Sequence, residues 1–142
     1  MPVTVIKFIR NATGARWSVL NLENPDETSE GSKASHTLYP GGSWSCDIRI
    51  PQVDAGYEVK LGQGSGHIMI ITPRPRSDLA TTRQFAVWQQ GNHVRYSVYD
   101  GWSGKGTRSD NGPPVPGNNN VGGDRSIDIV GTDRFDADLQ FY

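Results

Sequence analysis

Ser43-Trp44-Ser45-Cys46-Asp47-Ile48-Arg49-Ile50 is the stretch that decides the fold. Trp44, Cys46, Ile48 and Ile50 fall on one side of an extended chain, and Ser45, Asp47 and Arg49 on the other. That is the period-2 pattern of a strand with one face on a core and one in water. The pattern recurs in both directions. Residues 3–9 are rich in β-branched and aromatic side chains. After the turn residues Asn11-Ala12-Thr13-Gly14, residues 15–22 alternate, with Ala15, Trp17 and Val19 on one face. These two segments are expected to form a hairpin. Residues 56–61 and 67–72 read as two more strands. The second is apolar on both faces (Met69 and Ile71; Ile68 and Ile70), as a central strand would be.

Beyond Pro73-Arg74-Pro75-Arg76, residues 83–89 and 93–99 are expected to form another hairpin about Gly91-Asn92. Residues 125–130 and 137–142 close the chain as strands. Residues 23–35 and 100–123 are long polar loops, and no helical period of useful length appears. Gly 17 and Pro 9 fall between the short apolar runs rather than inside them. The expected fold is an all-β, single-domain antiparallel β-sandwich over residues 1–142. Its inward residues are expected to be Trp17, Val19, Trp44, Cys46, Ile48, Tyr96 and Val98.

The two expected hairpins are alike. Shifted by 79 positions, Arg16-Trp17-Ser18-Val19 falls on Arg95-Tyr96-Ser97-Val98. Each is followed by a long loop with a Pro-Gly (Pro40-Gly41, Pro116-Gly117) and then a strand with Asp-Ile (Asp47-Ile48, Asp128-Ile129). This suggests a pseudo-twofold duplication of a four-strand unit, residues 3–62 and 82–142. The alternative is that any two half-buried hairpins share such residues.

Charge and composition narrow the function. Lys+Arg 14 against Asp+Glu 15 gives a formal net charge of -1. That balance lacks the positive field of a typical nucleic-acid binder and the polybasic segment that seeks anionic lipid. The start, Met1-Pro2-Val3-Thr4-Val5-Ile6-Lys7-Phe8, does not read as a signal peptide, and no run approaches the ~18 apolar residues of a membrane span. The lone Cys46 permits no intrachain disulfide. A cytoplasmic protein is expected.

No residue pattern announces catalysis. Cys46 alternates with buried residues and is expected to act as a small hydrophobe. His36, His67 and His93 have no second ligand at zinc spacing. Gly62-Gln63-Gly64-Ser65-Gly66 lacks the glycine spacing of a nucleophile elbow. The chain is expected not to be an enzyme and to need no cofactor. Calcium is the one candidate metal: Glu23, Asp26, Glu27 and Glu30 cluster in the first loop, and Asp110-Asn111, Asn118-Asn119-Asn120 and Asp124 are oxygen-rich. Neither set matches an EF-hand spacing.

The most informative stretch is Tyr99-Asp100-Gly101-Trp102-Ser103-Gly104-Lys105-Gly106. Trp102 stands among glycines with no adjacent apolar residue to share a core. An aromatic plate beside carboxylates and planar amides suits a sugar: the ring stacks on the C–H face of a pyranose while Asp and Asn exchange hydrogen bonds with hydroxyls. The alternative is a loop anchor folded over the sheet edge. The expected site is Trp102 with Tyr99, Asp100, Asp110, Asn111, Asn118, Asn119 and Asn120, on the second of two functional loops, 23–38 and 99–124.

In Leu38-Tyr39-Pro40-Gly41-Gly42-Ser43 and in the terminal Asp136-Ala137-Asp138-Leu139 the chain resembles the fungal fruit-body lectins. The resemblance implies a glycan-binding, actinoporin-like sandwich without enzyme activity, and it transfers no sugar-contacting residue. The expected partners are glycans or glycoproteins, a second copy of the chain, and no nucleic acid. A membrane is a further expected contact, through glycolipid or lipid. The second functional expectation is a membrane-active or lipid-headgroup-binding sandwich, with Trp102, Tyr96 and Tyr99 dipping into the interface.

Overall fold

The computed structural model describes residues 3–23, 25–53, 68–72, 83–90, 93–100, 106–109 and 123–142. These form ten strands and no helix: β1 (Val3–Asn11), β2 (Trp17–Asn21), β3 (Ser35–Leu38), β4 (Ser43–Val53), β5 (Ile68–Ile71), β6 (Arg83–Gln90), β7 (His93–Asp100), β8 (Gly106–Ser109), β9 (Gly123–Val130) and β10 (Asp138–Phe141). Among the described residues no helix is long and apolar enough to cross a membrane.

The strands build an all-β sandwich. One sheet runs β10-β9-β1-β4, and the other runs β3-β2-β5-β6-β7-β8. β4 belongs to both: its last residues, Gln52 and Val53, cross over to lie parallel to Gln89 and Gln90 of β6. Pairing is antiparallel except at this crossover and between β1 and β9. β5 sits between β2 and β6, which explains why both of its faces are apolar. β6 and β7 form the expected hairpin, Gln90 opposite His93.

Period-2 alternation fills the interior. Trp17, Val19, Trp44, Cys46, Ile48 and Tyr96 are buried as expected; the side chain of Val98 lies outside the described residues. Ile6 and Ile9 both point inward although three positions apart, because the register of β1 slips at Lys7 against both β4 and β9. A bulge there turns Lys7 outward, where it pairs with Asp47 at 3.1 Å. Rings line the interior of one sheet, Trp17 5.7 Å from Phe85 and Phe85 6.5 Å from Tyr96, and Tyr96 bridges to the other sheet, meeting Phe141 of β10 edge-on at 5.9 Å. The Tyr96 hydroxyl donates to Asp138 Oδ1 at 2.9 Å, so its polar end is satisfied.

Three expectations are corrected. β1 and β2 are not a hairpin. β1 has β4 on one edge and β9 on the other, so no edge remains for β2. The connection binds away from β2 as well: Ala12 N donates to Ile129 O, and Gly14 N to Thr132 O. The chain therefore leaves one sheet at Asn11 and enters the other at Trp17. Second, the loop read as 23–38 ends in strand β3, which pairs with β2. Third, the loop read as 99–124 contains strand β8, which pairs with β7, Tyr99 opposite Gly106 and Tyr96 opposite Ser109.

The 79-residue offset carries β1 onto β6, β2 onto β7 and β4 onto β9. The two parallel pairings, β9 with β1 and β4 with β6, exchange under that mapping. The β6–β7 hairpin has no counterpart, since β1 and β2 lie in different sheets. The strand expected at 56–61 lies outside the described residues.

Candidate functional site

Tyr99 and Asp100 close strand β7, opposite Gln84 and Arg83 of β6. Their side chains, together with Trp102, Asp110, Asn111, Asn118, Asn119 and Asn120, lie outside the described residues. What the structure does fix is the place from which residues 101–105 depart. Asp100 and Gly106 end the paired strands β7 and β8 at the end of the sandwich where β2 and β6 begin. β8 then runs four residues toward the other end, about 10 Å of extended chain, before residues 110–122 follow.

That end of the sandwich is built around Asn11, which is wholly buried. Its amide nitrogen donates to Ala15 O at 2.6 Å and to Leu38 O at 3.2 Å. Its Oδ1 accepts from Thr13 N at 2.9 Å and from Thr13 Oγ at 2.7 Å. Thr13 Oγ in turn accepts from the Trp17 indole at 2.9 Å. On the backbone, Asn11 N donates to Gly42 O, and Gly41 N donates to Asn11 O. One side chain thus joins the β1–β2 connection to the turn before β4. In that turn Gly42 N donates to Tyr39 O at 2.8 Å, and Gly41 takes φ +78. Pro40 and Gly41 are the residues a type II turn requires at its two central positions. Tyr39, at the head of the turn, is 62 % exposed.

The adjoining turn, residues 131–137, is capped by two carboxylates. Asp136 Oδ1 accepts from Thr132 N and Asp133 N, both at 2.9 Å, and Asp133 Oδ1 accepts from Phe135 N at 2.8 Å. The bond from Asp133 N leads the causes that hold the Asp136 carboxyl below the usual carboxylate range. Gly131 enters the turn at φ +130. The turn presents Phe135, 43 % exposed, with the Arg134 guanidinium 5.0 Å from the ring centre.

The acidic loop leaves β2 at its far end and folds back along β4. Asp47 N donates to Gly31 O, Trp44 Nε1 to Glu30 O, and Ser32 Oγ to Asp47 O. Its carboxylates serve the loop itself: Asp26 accepts from Thr28 N and Oγ1, Glu27 from Ala34 N, and Glu30 from Lys33. The Thr28 hydroxyl, first among the causes, holds Asp26 below the usual range, and Lys33 does the same for Glu30. His36 stacks flat on Trp44 at 4.8 Å, and burial chiefly keeps it less basic than a free imidazole. A depression of about 160 Å³ remains between this loop and β4, lined by Asn21, Asp26, Ser32, Asp47, Ile48 and Arg49. Among the described residues no three His, Cys, Asp or Glu side chains converge as a metal would require.

Cys46 carries no reactive character. Its Sγ donates to Ile6 O at 3.2 Å, and burial pushes the thiol up to about 12.

Sequence reasoning missed Asn11, Tyr39 and Phe135. Tyr39-Pro40-Gly41-Gly42 and Asp133 with Asp136 were the available signals: a turn dipeptide behind an aromatic, and two short carboxylates flanking another. No family model matches the chain, no curated protein shows a significant similarity to it, and no solved structure matches its fold.

Proposed function

We propose that the chain binds carbohydrate and performs no chemistry on it, with the ligand seated at the end organised by Asn11. One observation carries this reading. The ends of β7 and β8, which flank Trp102 in sequence, emerge where the Tyr39 turn and the Phe135 turn emerge. Rings for stacking, carboxylates as acceptors and the exposed Arg16 as a donor are therefore presented from one end of a rigid scaffold. A hydroxyl-rich ligand needs both donors and acceptors, and loops on a rigid sandwich are where such sites are carried.

The test is a glycan array probed with the wild-type protein, followed by titration of Trp102→Ala against the best glycan. Wild type should bind, and loss of a stacking ring should weaken binding by on the order of 1–3 kcal/mol. The Asn11-centred fold should be untouched. Exposed Tyr39 and Phe135 with a nearby arginine also suit a bilayer interface. A wild-type protein that binds no glycan but releases dye from neutral vesicles would replace the sugar reading with that one.

A further inference from the structure

Of the large apolar side chains exposed among the described residues, Leu22 has no ring, and Tyr142 has its hydroxyl tied to Gln140. Tyr39 and Phe135 differ from both: each ring stands on a turn held by side-chain caps. Asn11 fixes the first turn through Leu38 O, Gly41 N and Gly42 O, and Asp133 and Asp136 fix the second. Exposed rings on mobile loops need no explanation, because they fold back whenever cover is found. Pinned turns fix the backbone positions from which the two rings leave the scaffold, so each ring is presented from a set place.

The topology sets the spacing between the two turns. The Tyr39 turn leads into β4, and the Phe135 turn follows β9. β1 lies between these strands, paired to both. The strands are two inter-strand spacings apart, about 10 Å. The β1–β2 segment links the two turns: Asn11 bonds to Gly41 and Gly42 of the first, and Gly14 N donates to Thr132 O of the second at 2.8 Å. The Asp136 carboxylate, which caps the second turn, is exposed beside it.

We infer that Tyr39 and Phe135 form a two-ring stacking platform for an oligosaccharide, each ring taking a different sugar residue. This deepens the carbohydrate reading and rests on it. The two turns join strands separated by β1, so each ring is assigned its own sugar residue and a di- or trisaccharide is the ligand taken to engage both. Preformed plates also avoid the entropy of ordering a loop at the moment of binding.

The experiment uses Tyr39→Ala, Phe135→Ala and Tyr39→Phe in the full chain. The probes are mono-, di- and trisaccharides of glucose, galactose, mannose and N-acetylglucosamine. Thermal midpoints should match wild type, because both rings are exposed. Each alanine variant should lose about tenfold in affinity for the best trisaccharide. Tyr39→Phe should keep that affinity, and affinity for the corresponding monosaccharide should change in at most one of the two alanine variants. Wild-type trisaccharide binding retained in full by both alanine variants would overturn the platform alone. Absence of any wild-type binding to these probes or to an array would overturn the carbohydrate reading beneath it.

Discussion

Asn11→Ala should be among the most destabilising single substitutions at the surface-forming end of this protein. The side chain makes four hydrogen bonds and is wholly buried, so no water stands ready to replace it. Truncation removes the donor to Leu38 O and Ala15 O and the acceptor for Thr13 N. The Thr13 hydroxyl has Ala15 O as a second acceptor, at 3.5 Å, and can turn to it; Thr13 N cannot turn. One buried donor left unpaired costs about 1–3 kcal/mol, and the remaining lost bonds about 1 kcal/mol each. The sum is about 3–5 kcal/mol. For a domain of this size that corresponds to a fall in thermal midpoint of roughly 10–20 °C. Urea denaturation followed by tryptophan fluorescence reads it, because Trp17 is hydrogen-bonded within the same network. Asn11→Asp should cost a comparable amount at neutral pH, since it sets a carboxylate oxygen against two carbonyls. A loss below about 1 kcal/mol in Asn11→Ala would refute the view that this side chain holds the end together.

Other expectations follow from particular residues. Cys46 should resist alkylation in the native protein and react on unfolding. The unfolded thiol ionises near 9.0 and the native one at about 12, so the unfolded chain binds fewer protons in that window. Cys46 should therefore remove stability as pH rises through it, and Cys46→Ala should flatten that alkaline slope in denaturation curves. Gly131→Ala should destabilise by about 2–4 kcal/mol, because φ is +130 and the new methyl would meet Asp136 O at 2.9 Å. Gly41→Ala, at φ +78 with open space around it, should cost only about 1 kcal/mol, and urea midpoints that reverse this order would contradict both turns. His36 should titrate below 6.5 in an NMR pH series, so the unfolded chain binds more protons and stability is lost as pH falls through that value. Lys33→Gln should raise the His36 midpoint; no movement would mean Lys33 does not face the ring.

The strands that alternate strictly were legible because burial itself writes that pattern. Trp44, Cys46, Ile48 and Ile50 could face nothing but a core. Strand partners were less legible. Residues 11–14 read as a hairpin turn, yet what decides the pairing of β1 is that β4 and β9 occupy its edges, and those contacts are far away in sequence. β3 (Ser35–Leu38) and β8 (Gly106–Ser109) are short and polar, so backbone pairing rather than side-chain pattern defines them. The acidic loop read as a polar loop and a candidate calcium site because its carboxylates were counted as charges. In the folded chain they are acceptors for Thr28, Lys33 and the amide of Ala34. Tyr39 and Phe135 escaped notice because exposure of a ring depends on how its turn is pinned. Asn11, which pins the first of those turns, looked like an ordinary turn residue.

The central claim is that a glycan ligand sits at the end organised by Asn11, and amide chemical-shift mapping with the best array glycan tests it most directly. Shifts should concentrate at Ala12 to Arg16, Tyr39 to Gly42, Thr132 to Ala137, and at Asp100 and Gly106, while Asp26 to Thr28, beside the polar depression along β4, stay still. Shifts confined to Asn21, Asp26, Ser32 and Arg49, around the polar depression, or no saturable shifts at all, would contradict it.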